Sequence, residues 1–394
     1  MKIIEVHNKK TAKQFLDVAR IIYKDNDTWV CPLDKTINKT FDPQKNEFFT
    51  HGKANRWILF DDNKNLIGRV AAFINDKKAY NFAQPTGGMG FFECINDKNA
   101  AFLLFDTCKE WLSERGMEAM DGPINFGEND NFWGLLVEGF SPPSYGMQYH
   151  HPYYKALFED YDFSTFFVQV TNNLDITKPF PERFWKIADW VRKKPGYSFK
   201  HFTFKNSEKF VNDLIEIYDN AWQFHENFTP MSKKDLQNSL AEAKPILEEE
   251  FCWFAYHNDT PIAFLIMLPD ANQILKNFKG KMNLINKIRF VRFRKQNKIT
   301  RARITVMGVI PKFQKSGIES AIFWHMSKVM DKRPHYKDVE LSWVGDFNPK
   351  MRALHESVGG VFSKKHITYR KLFNKDAKFQ SSKEIPMDTK ERNK

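Results

Sequence analysis

Two stretches of this chain, about half a chain length apart, follow the same pattern. The first is HPYYKALFEDYDF (residues 151–163), and the second is NPKMRALHESVGG (residues 348–360). Each begins with a polar residue and proline, and each continues with a base, Ala-Leu and a later glutamate. Because proline at the first position of a helix gives up no needed N–H group, both stretches predict a short helix. Pro152 and Pro349 are 197 positions apart in a chain of 394 residues, which indicates an internal duplication.

Other predicted elements recur in one order before these two helices. Each half has a β-hairpin, a strand, a helix with apolar residues at helical spacing, and a further strand. The matching hairpins and strands are residues 56–76 and 252–268, 87–94 and 303–310, and 117–125 and 338–345. Capping chemistry alone explains one matching helix, but it does not readily explain four elements in the same order. The sequence therefore predicts the same mixed α/β fold twice, each time with a largely antiparallel sheet.

Composition and charge limit the class of protein. With 42% hydrophobic and 15% aromatic residues, the chain has enough apolar material for packed cores. The four cysteines show neither a Cys-x-x-Cys pair nor zinc spacing with histidine, so we expect no metal site and a reducing compartment. The amino terminus lacks a signal-peptide core, and no run of ~18 apolar residues occurs, so we expect a cytoplasmic protein. The net charge of +12 fits either solubility or an anionic partner.

A candidate anion-binding turn lies in the second half, in VMGVIPKFQKSGIESAIFWHM (residues 306–326). The pattern predicts a strand that ends near Ile310, a turn that contains Gly317, and then a helix. Unpaired N–H groups and the positive end of the helix dipole make such a turn suitable for a pyrophosphate. Lys312 and Lys315 add positive charge nearby. An ordinary strand–turn–helix has the same spacing, so the motif alone is a weak signal.

In its context of strand, turn and helix, this region resembles the GNAT acyltransferase superfamily, whose Gln/Arg-x-x-Gly-x-Gly/Ala loop binds acyl-CoA. Gln314 and Gly317 match the first two positions, and Glu319 stands where the family has a small residue. The resemblance covers roughly residues 202–372 and implies acyl-CoA as co-substrate, with no metal. The residues that it implies for CoA binding are Val309, Ile310, Lys312, Gln314, Lys315, Ser316, Gly317, Ile318 and Asn348.

More narrowly, the whole chain resembles a group of bacterial tandem-GNAT proteins that are related to bacterial ceramide synthases. The resemblance rests on GPINFGENDNFWGLLVEGF (residues 122–140) and PPSYGMQYHHPYY (residues 142–154). It implies two tandem GNAT-like domains: a degenerate one over residues 1–165 that lacks the phosphate loop, and an acyltransferase domain over residues 166–374. We expect residues 375–394, which are polar and aperiodic, to be a disordered tail.

The same resemblance suggests transfer of an acyl group from a CoA thioester to an amine, with a long-chain, sphingoid-type base as one acceptor. Two alternatives stay open. Tandem GNAT architecture also resembles aminoacyl transferases that use aminoacyl-tRNA, and a net charge of +12 suits tRNA. A non-catalytic binding protein on a GNAT scaffold is the third hypothesis, because Glu319 departs from the motif.

Acyl transfer from a thioester needs a neutral amine, a donor for the oxyanion and a proton for the leaving thiolate. The resemblance places the oxyanion donor at a backbone N–H of the strand near the motif loop, on Val309 or its neighbours. It places an acid seven residues after Asn348, where His355 stands, and an imidazole could relay a proton. Glu340, on the strand that flanks the acyl arm in the family, is the candidate base. A packing histidine and an outward-facing carboxylate are the competing interpretations of these two residues.

The acceptor-binding region of the family corresponds here to NAWQFHENFTPMS (residues 220–232). The residues that we expect to contact substrate are Tyr218, Trp222, His225, Glu226 and, on the strand face shared with Glu340, Ser342. An aromatic-rich segment is more often part of a core, which is the competing interpretation. In the first half, the Gly- and Asn-rich loop of residues 122–134 is interpreted as structural, with a role in enclosing substrate.

Residues 276–303 contain eleven basic residues and no acidic one, with apolar residues between them. A solvated insertion, a site for nucleic-acid phosphates, and an amphipathic helix on an anionic membrane all fit this pattern. We favour contact with an anionic membrane surface, at the inner face of the membrane, because it suits a lipid acceptor. We expect no specific nucleic-acid partner.

Overall fold

A computed structural model describes residues 1–129, 131–222 and 230–384 of the chain. The strands of these residues are β1 (Lys2–Glu5), β2 (Gly52–Phe60), β3 (Leu66–Asn75), β4 (Thr86–Cys94), β5 (Ala119–Gly122), β6 (Leu135–Glu138), β7 (Ser164–Asp175), β8 (Tyr197–His201), β9 (Cys252–His257), β10 (Thr260–Pro269), β11 (Arg301–Val309), β12 (Asp338–Gly345) and β13 (Val361–Leu372). The helices are α1 (Lys9–Ile22), α2 (Asp34–Thr40), α3 (Asp76–Ala79), α4 (Lys98–Ser113), α5 (Tyr154–Asp160), α6 (Glu182–Arg192), α7 (Ser207–Trp222), α8 (Lys233–Ala243), α9 (Asn272–Leu275), α10 (Leu284–Lys295), α11 (Ile318–Asp331) and α12 (Pro349–Ser357).

Local sequence chemistry explains where several of these elements begin and turn. Asn258 and Asp259, between β9 and β10, have φ of 48° and 63°, which a two-residue hairpin turn requires and these residue types tolerate. α12 begins at Pro349, and the side chain of Asn348 accepts a hydrogen bond from N of Met351 at 3.2 Å. Both the hairpin and the Asn-Pro helix start were predicted from the sequence.

One mixed sheet connects the two halves. The thirteen strands of the described residues follow the order β1-β2-β3-β4-β5-β13-β7-β12-β11-β10-β9-β8, and β6 pairs with β13 beside this path. The order is the same from either edge of the sheet. From one edge it runs through β1, the hairpin β2–β3, β4, its parallel neighbour β5 and then β13. From the other edge it runs through β8, the hairpin β9–β10, β11, its parallel neighbour β12 and then β7. The predicted α/β fold with an internal duplication is confirmed.

The final strand of each half is exchanged at the centre of the sheet. β7 belongs to the first half in sequence order, yet it pairs with β12, and β13 of the second half pairs with β5. β7 and β13 also pair with each other, from Val361 opposite Asn173 to Arg370 opposite Ser164. β7 follows α5 as β13 follows α12, so each repeat supplies the last strand of the other's sheet, and the predicted boundary at 165/166 falls after only the first two residues of β7.

The two long central helices bury the faces that their spacing predicted. α4 buries Ala101, Leu104, Phe105, Cys108 and Leu112, and α11 buries Ile318, Ala321, Ile322, Met326 and Val329. Each helix contributes to a separate hydrophobic core on its own half of the sheet. Burial of apolar surface on both halves, at roughly 25 cal/mol per Å², is the main stabilising contribution to the fold.

The carboxy-terminal residues contact the body of the molecule as far as they are described. Residues 382–384 form a short 3₁₀ turn, and Nζ of Lys383 lies 3.0 Å from a carboxylate oxygen of Asp346. The rest of the tail, residues 385–394, lies outside the described residues. Among the described helices, none is both long and apolar enough to cross a bilayer.

Candidate functional site

The parallel strands β11 and β12 separate partway along their length. They pair from Arg301 opposite Asp338 to Ile304 opposite Leu341, and no later pair of described residues joins them. β11 nevertheless continues to Val309 and β12 to Gly345. Where a strand loses its neighbour inside a sheet, its backbone N–H and C=O groups on that edge have no hydrogen-bond partners from another strand. The resulting gap suits an extended ligand that pairs with the edge like an added strand.

The backbone of Val309 faces this gap. N of Ile310 donates to O of Ile262 on β10 at 3.0 Å. Because successive residues of a strand direct their backbone groups to opposite edges, N–H and C=O of Val309 point away from β10. Nε2 of Gln314 donates to O of Val309 at 3.3 Å, on the gap side. Val309 therefore has the orientation that the predicted N–H donor needs, and Gln314 is fixed beside it.

The predicted phosphate loop follows directly. Residues 311–313 form a 3₁₀ turn, Lys315 and Gly317 have φ of 63° and 83°, and α11 begins at Ile318. No side chain in the described part of the chain caps α11 at Gly317. Lys312 and Lys315 are exposed beside this helix end. A helix beginning without a side-chain cap, next to two lysines, fits a diphosphate group.

Glu319 occupies the third position of the motif, in the first turn of α11. Burial raises the pKa of its carboxyl, and a hydrogen bond from its own backbone N–H acts in the opposite direction. The carboxylate thus takes one of the N–H groups that the loop would otherwise offer to an anion. Glu319, the residue that departs from the family motif, therefore places a negative charge at the helix end where a bound diphosphate would lie.

A cavity of about 1500 Å³ lies between the two halves, and its walls include Val306 and Met307 of β11 and Trp343 of β12. This volume exceeds the roughly 300–1,000 Å³ of typical small-molecule sites. Aromatic side chains from both halves line it, among them Phe73, Phe126, Trp133, Phe166, Phe210, Phe254 and Phe347. The gap between β11 and β12 therefore leads into a large and mostly apolar space.

The predicted site residues fall into two groups around this space. Tyr218, Ser342, Asn348 and His355 lie on the cavity wall. Among the described residues, the cavity wall does not include Glu340, Val309 or the loop residues Ile310, Lys312, Gln314, Lys315, Ser316, Gly317 and Ile318. Trp222 is the last residue of α7, and His225 and Glu226 lie outside the described residues.

His355 is 8% exposed and faces the cavity from α12. Burial lowers the pKa of its imidazole to about 4, so the ring is neutral at neutral pH. A neutral imidazole accepts a proton on one nitrogen and releases one from the other, which suits a relay better than a permanently protonated acid. The residue 197 positions earlier is Phe158, which packs against Phe92, Phe105 and Phe163 in an aromatic cluster.

Glu340 is fully enclosed and paired with two cations. Nζ of Lys364 donates to its carboxylate at 2.7 Å, and Nε of Arg303 lies 3.6 Å away. Burial alone would raise the pKa of Glu340, but the charges of Lys364 and Arg303 together hold it below its usual value. Arg303 also donates to O of Tyr145 at 2.8 Å and to Oγ of Ser342 at 3.3 Å. These contacts favour a positioning role for Glu340, although the prediction that it is the base stays untested.

Asp270, at the end of β10, is a carboxyl group that the sequence did not single out. It is 2% exposed, lies on the cavity wall, and accepts from N of Tyr145 at 3.0 Å and N of Asn272 at 3.1 Å. Burial, followed by the charge of Glu340, raises its pKa to about 6. A buried cavity carboxyl whose pKa is raised in this way fits a general base for a group that passes Arg301, eight positions along β11 from Val309. In sequence, Asp270 resembles a helix cap, and its contact with N of Tyr145 in the other half has no local signal.

The equivalent gap in the first half is closed. β4 and β5 pair in parallel over residues 86–88 and 119–121. The following segment then fills the space, because N of Ile124 donates to O of Met89 at 2.8 Å and a Cβ on Gly90 would lie 1.8 Å from O of Ile124. Asp97 precedes the first residue of α4 and caps it, because its carboxylate accepts from N of Ala100 at 2.8 Å. A negative cap thus replaces the phosphate loop, which supports the structural role predicted for this half.

No protein-family model matches the chain. It is 27% identical over 383 residues to a protein named Bacterial ceramide synthase from Caulobacter vibrioides (strain NA1000 / CB15N), and the alignment covers 94% of this chain and 97% of that protein. It is 25% identical over 377 residues to Protein YghO from Escherichia coli (strain K12), with coverage of 92% and 93%.

Among solved structures, the chain is similar to a tandem GNAT protein from the clavulanic acid biosynthesis pathway. The TM-score is 0.56 at 10% identity, and the match covers 95% of this chain and 99% of that one. At this identity the likeness shows the fold. The chain therefore has the tandem GNAT fold that its sequence predicted.

Proposed function

We propose that this chain, which has the fold of the tandem GNAT proteins, transfers an acyl group from acyl-CoA to the amine of a long-chain, sphingoid-type base. The observation that carries the proposal is the gap between β11 and β12, which leads into a mostly apolar cavity of about 1500 Å³. The gap suits the extended arm of acyl-CoA, and the cavity suits alkyl chains. The relative named Bacterial ceramide synthase, aligned over nearly the full length of both chains, supports this acceptor class.

Binding of the donor is assigned to the second half. The diphosphate would meet the beginning of α11, with Lys312 and Lys315 adding positive charge. The pantetheine arm of acyl-CoA, which carries amide groups, would pair with the free edge of β11, where the N–H of Val309 faces the gap. That N–H, or one beside it on the same edge, would donate to the oxygen of the tetrahedral intermediate.

The proton steps are assigned to groups of the cavity wall. The ammonium form of the acceptor must lose a proton before it attacks, and ionised Asp270, which lies beside Arg301 at the opposite end of β11 from Val309, would accept it as the acceptor passes through the cavity. The nitrogen then forms a bond to the thioester carbon, and the carbon–sulfur bond breaks. His355 takes the second proton from the nitrogen and passes it to the leaving thiolate, so the ring ends in its starting state. Glu340 holds Arg303 and Lys364, and through Arg303 it orients Ser342.

Long chains should be preferred over short ones on both substrates. Each CH₂ group that leaves water contributes about 0.8 kcal/mol, so an apolar cavity distinguishes chain lengths strongly. A donor with a short acyl group would make the same contacts at the phosphate loop but would leave part of the cavity unfilled. The cavity therefore predicts tighter binding of palmitoyl-CoA than of CoA itself.

Isothermal titration with CoA and with palmitoyl-CoA tests the proposal. We expect both to bind, palmitoyl-CoA more tightly, and we expect K312Q/K315Q to weaken both by a similar factor, because the two ligands share the diphosphate. No heat and no thermal shift with either ligand would contradict the proposal. Salt-sensitive binding of tRNA without binding of CoA would favour the aminoacyl-tRNA alternative instead.

A further inference from the structure

α10 carries an apolar stripe on its outer surface. Its four exposed aliphatic side chains, at 73%, 68%, 62% and 53% exposure, are Leu284, Ile285, Ile288 and Val291. The first, third and fourth of these follow the i, i+4, i+7 spacing of one helix face. The opposite face, which includes Asn286 and Phe290, is buried. Single exposed aliphatic residues are common on protein surfaces, but a contiguous stripe of four marks a surface that meets a partner.

Positive charge surrounds this stripe. Lys287, Arg292 and Lys295 are exposed on the same helix, and none of them forms an ion pair with a described residue, whereas Arg301 pairs with Asp338. The segment of residues 276–303 supplies no acidic side chain at all. An apolar stripe among cations without ion-pair partners is complementary to an anionic bilayer. The stripe can bury its apolar surface among the acyl chains, and the cations can pair with lipid phosphates.

The helix is also part of the cavity wall. Lys287, Phe290 and Val291 of α10 line the cavity described above. The segment before α10 is attached to the first half, because N of Asp34 donates to O of Gly280 at 2.9 Å. Val291 and Lys287 thus belong both to the cavity wall and to the exposed surface of α10, so the cavity and the stripe adjoin on this helix.

We propose that α10 docks the protein on an anionic lipid bilayer, with Leu284, Ile285 and Ile288 inserted among the headgroups and the neighbouring cations on lipid phosphates. The cavity then opens beside the bilayer, and the lipid acceptor enters it from there. The docking stands on the stripe and the charge of α10 alone, whereas the entry of the acceptor rests on the proposed function.

Vesicle binding of the full chain tests the docking. The probes are vesicles of phosphatidylglycerol with phosphatidylcholine, and vesicles of phosphatidylcholine alone, in a sedimentation assay at low and high salt. We expect binding to the anionic vesicles that weakens as salt rises. L284S/I285S/I288S should reduce the partition coefficient at least about tenfold, because it removes most of the inserted apolar surface. R292Q/K295Q should reduce it by a similar factor.

The matched control is V361S/F362S, which removes two apolar side chains that are 68% and 52% exposed on β13, and it should bind vesicles like the unaltered chain. Unchanged vesicle binding of L284S/I285S/I288S, with an unchanged thermal midpoint, would overturn the inference. So would binding of tRNA that R292Q/K295Q abolishes and the serine variant retains, since α10 would then be a nucleic-acid surface. The assay contains no substrate, so its outcome is independent of whether acyl transfer occurs.

Discussion

At the residue scale, the difference between the two copies of the fold is clearest at one pair of positions. Phe158 lies in an aromatic cluster of the first half, and His355 faces the cavity in the second. A phenyl ring cannot exchange a proton, so the first copy retains the helix but has no relay at this position. The closed gap between β4 and β5 agrees with this loss.

The variant H355F installs the first-half residue in the second half. We expect turnover to fall by at least about 100-fold, which is the lower end of what a positioned proton-transfer group contributes. The affinity for CoA should stay the same, because His355 lies on α12 and not in the phosphate loop. Turnover is measured by release of free CoA and affinity by calorimetry. H7F, at an exposed histidine, is the control, and undiminished turnover in H355F would remove His355 from the mechanism.

Asp270 predicts a specific pH dependence. Its pKa is raised to about 6 by burial, and a base acts in its ionised form, so activity should fall as pH drops through about 6. D270N cannot ionise, so it should lose most turnover and also this limb of the pH profile. A profile of kcat against pH measures both effects. If D270N keeps the limb near pH 6, another group is the base.

Glu340 supplies the contrasting test. E340Q leaves Lys364 and Arg303 enclosed without their counter-charge, which should cost about 3–5 kcal/mol of the free energy of unfolding. Urea unfolding measures this loss, and the additional change K364M should recover part of it. If E340Q keeps full stability yet loses turnover, Glu340 is the base that the sequence predicted and the assignment to Asp270 is wrong.

At the scale of elements, the beginning of α11 combines a phosphate loop with an acidic first turn. E319A gives that position the small side chain of the family motif and frees the N–H that the carboxylate now occupies. We expect CoA to bind several-fold more tightly, because the negative carboxylate of Glu319 competes with the negative diphosphate for the positive end of the helix dipole. An interaction of this kind contributes up to about 1 kcal/mol. Calorimetry with CoA checks this, and E356A on α12 is the control. Weaker binding in E319A would show that the carboxylate assists the ligand.

Elements were more predictable from sequence than their arrangement was. The Asn258–Asp259 turn, the Asn348–Pro349 helix start and the buried faces of α4 and α11 all follow from local chemistry, and the structure confirms them. The exchange of β7 and β13 has no such local signal, because it pairs strands that are far apart in the sequence. For the site, His355 and Ser342 were expected from the family resemblance and stay predictions, whereas the contact of Asp270 with N of Tyr145 in the other half has no local signal in the sequence.

At the scale of the whole molecule, the strand exchange makes the two halves dependent on each other. Residues 1–165 alone would lack β13 beside β5, and residues 166–394 alone would keep β7 beside β12 but would leave β13 without its partners β5 and β6. We expect neither fragment to fold alone, and we expect the full chain to unfold in one cooperative transition. Calorimetric unfolding of the chain and circular dichroism of the fragments measure this. Two separate transitions, or a folded fragment, would contradict it.

The central claim is acyl transfer from CoA to a long-chain amine in the shared cavity, and product analysis tests it most directly. The protein is incubated with palmitoyl-CoA and sphinganine, and the lipids are analysed by mass spectrometry. The proposed function predicts N-palmitoyl sphinganine and an equal amount of free CoA, both nearly absent with H355F. Free CoA without the amide, or neither product when palmitoyl-CoA is bound, would contradict it.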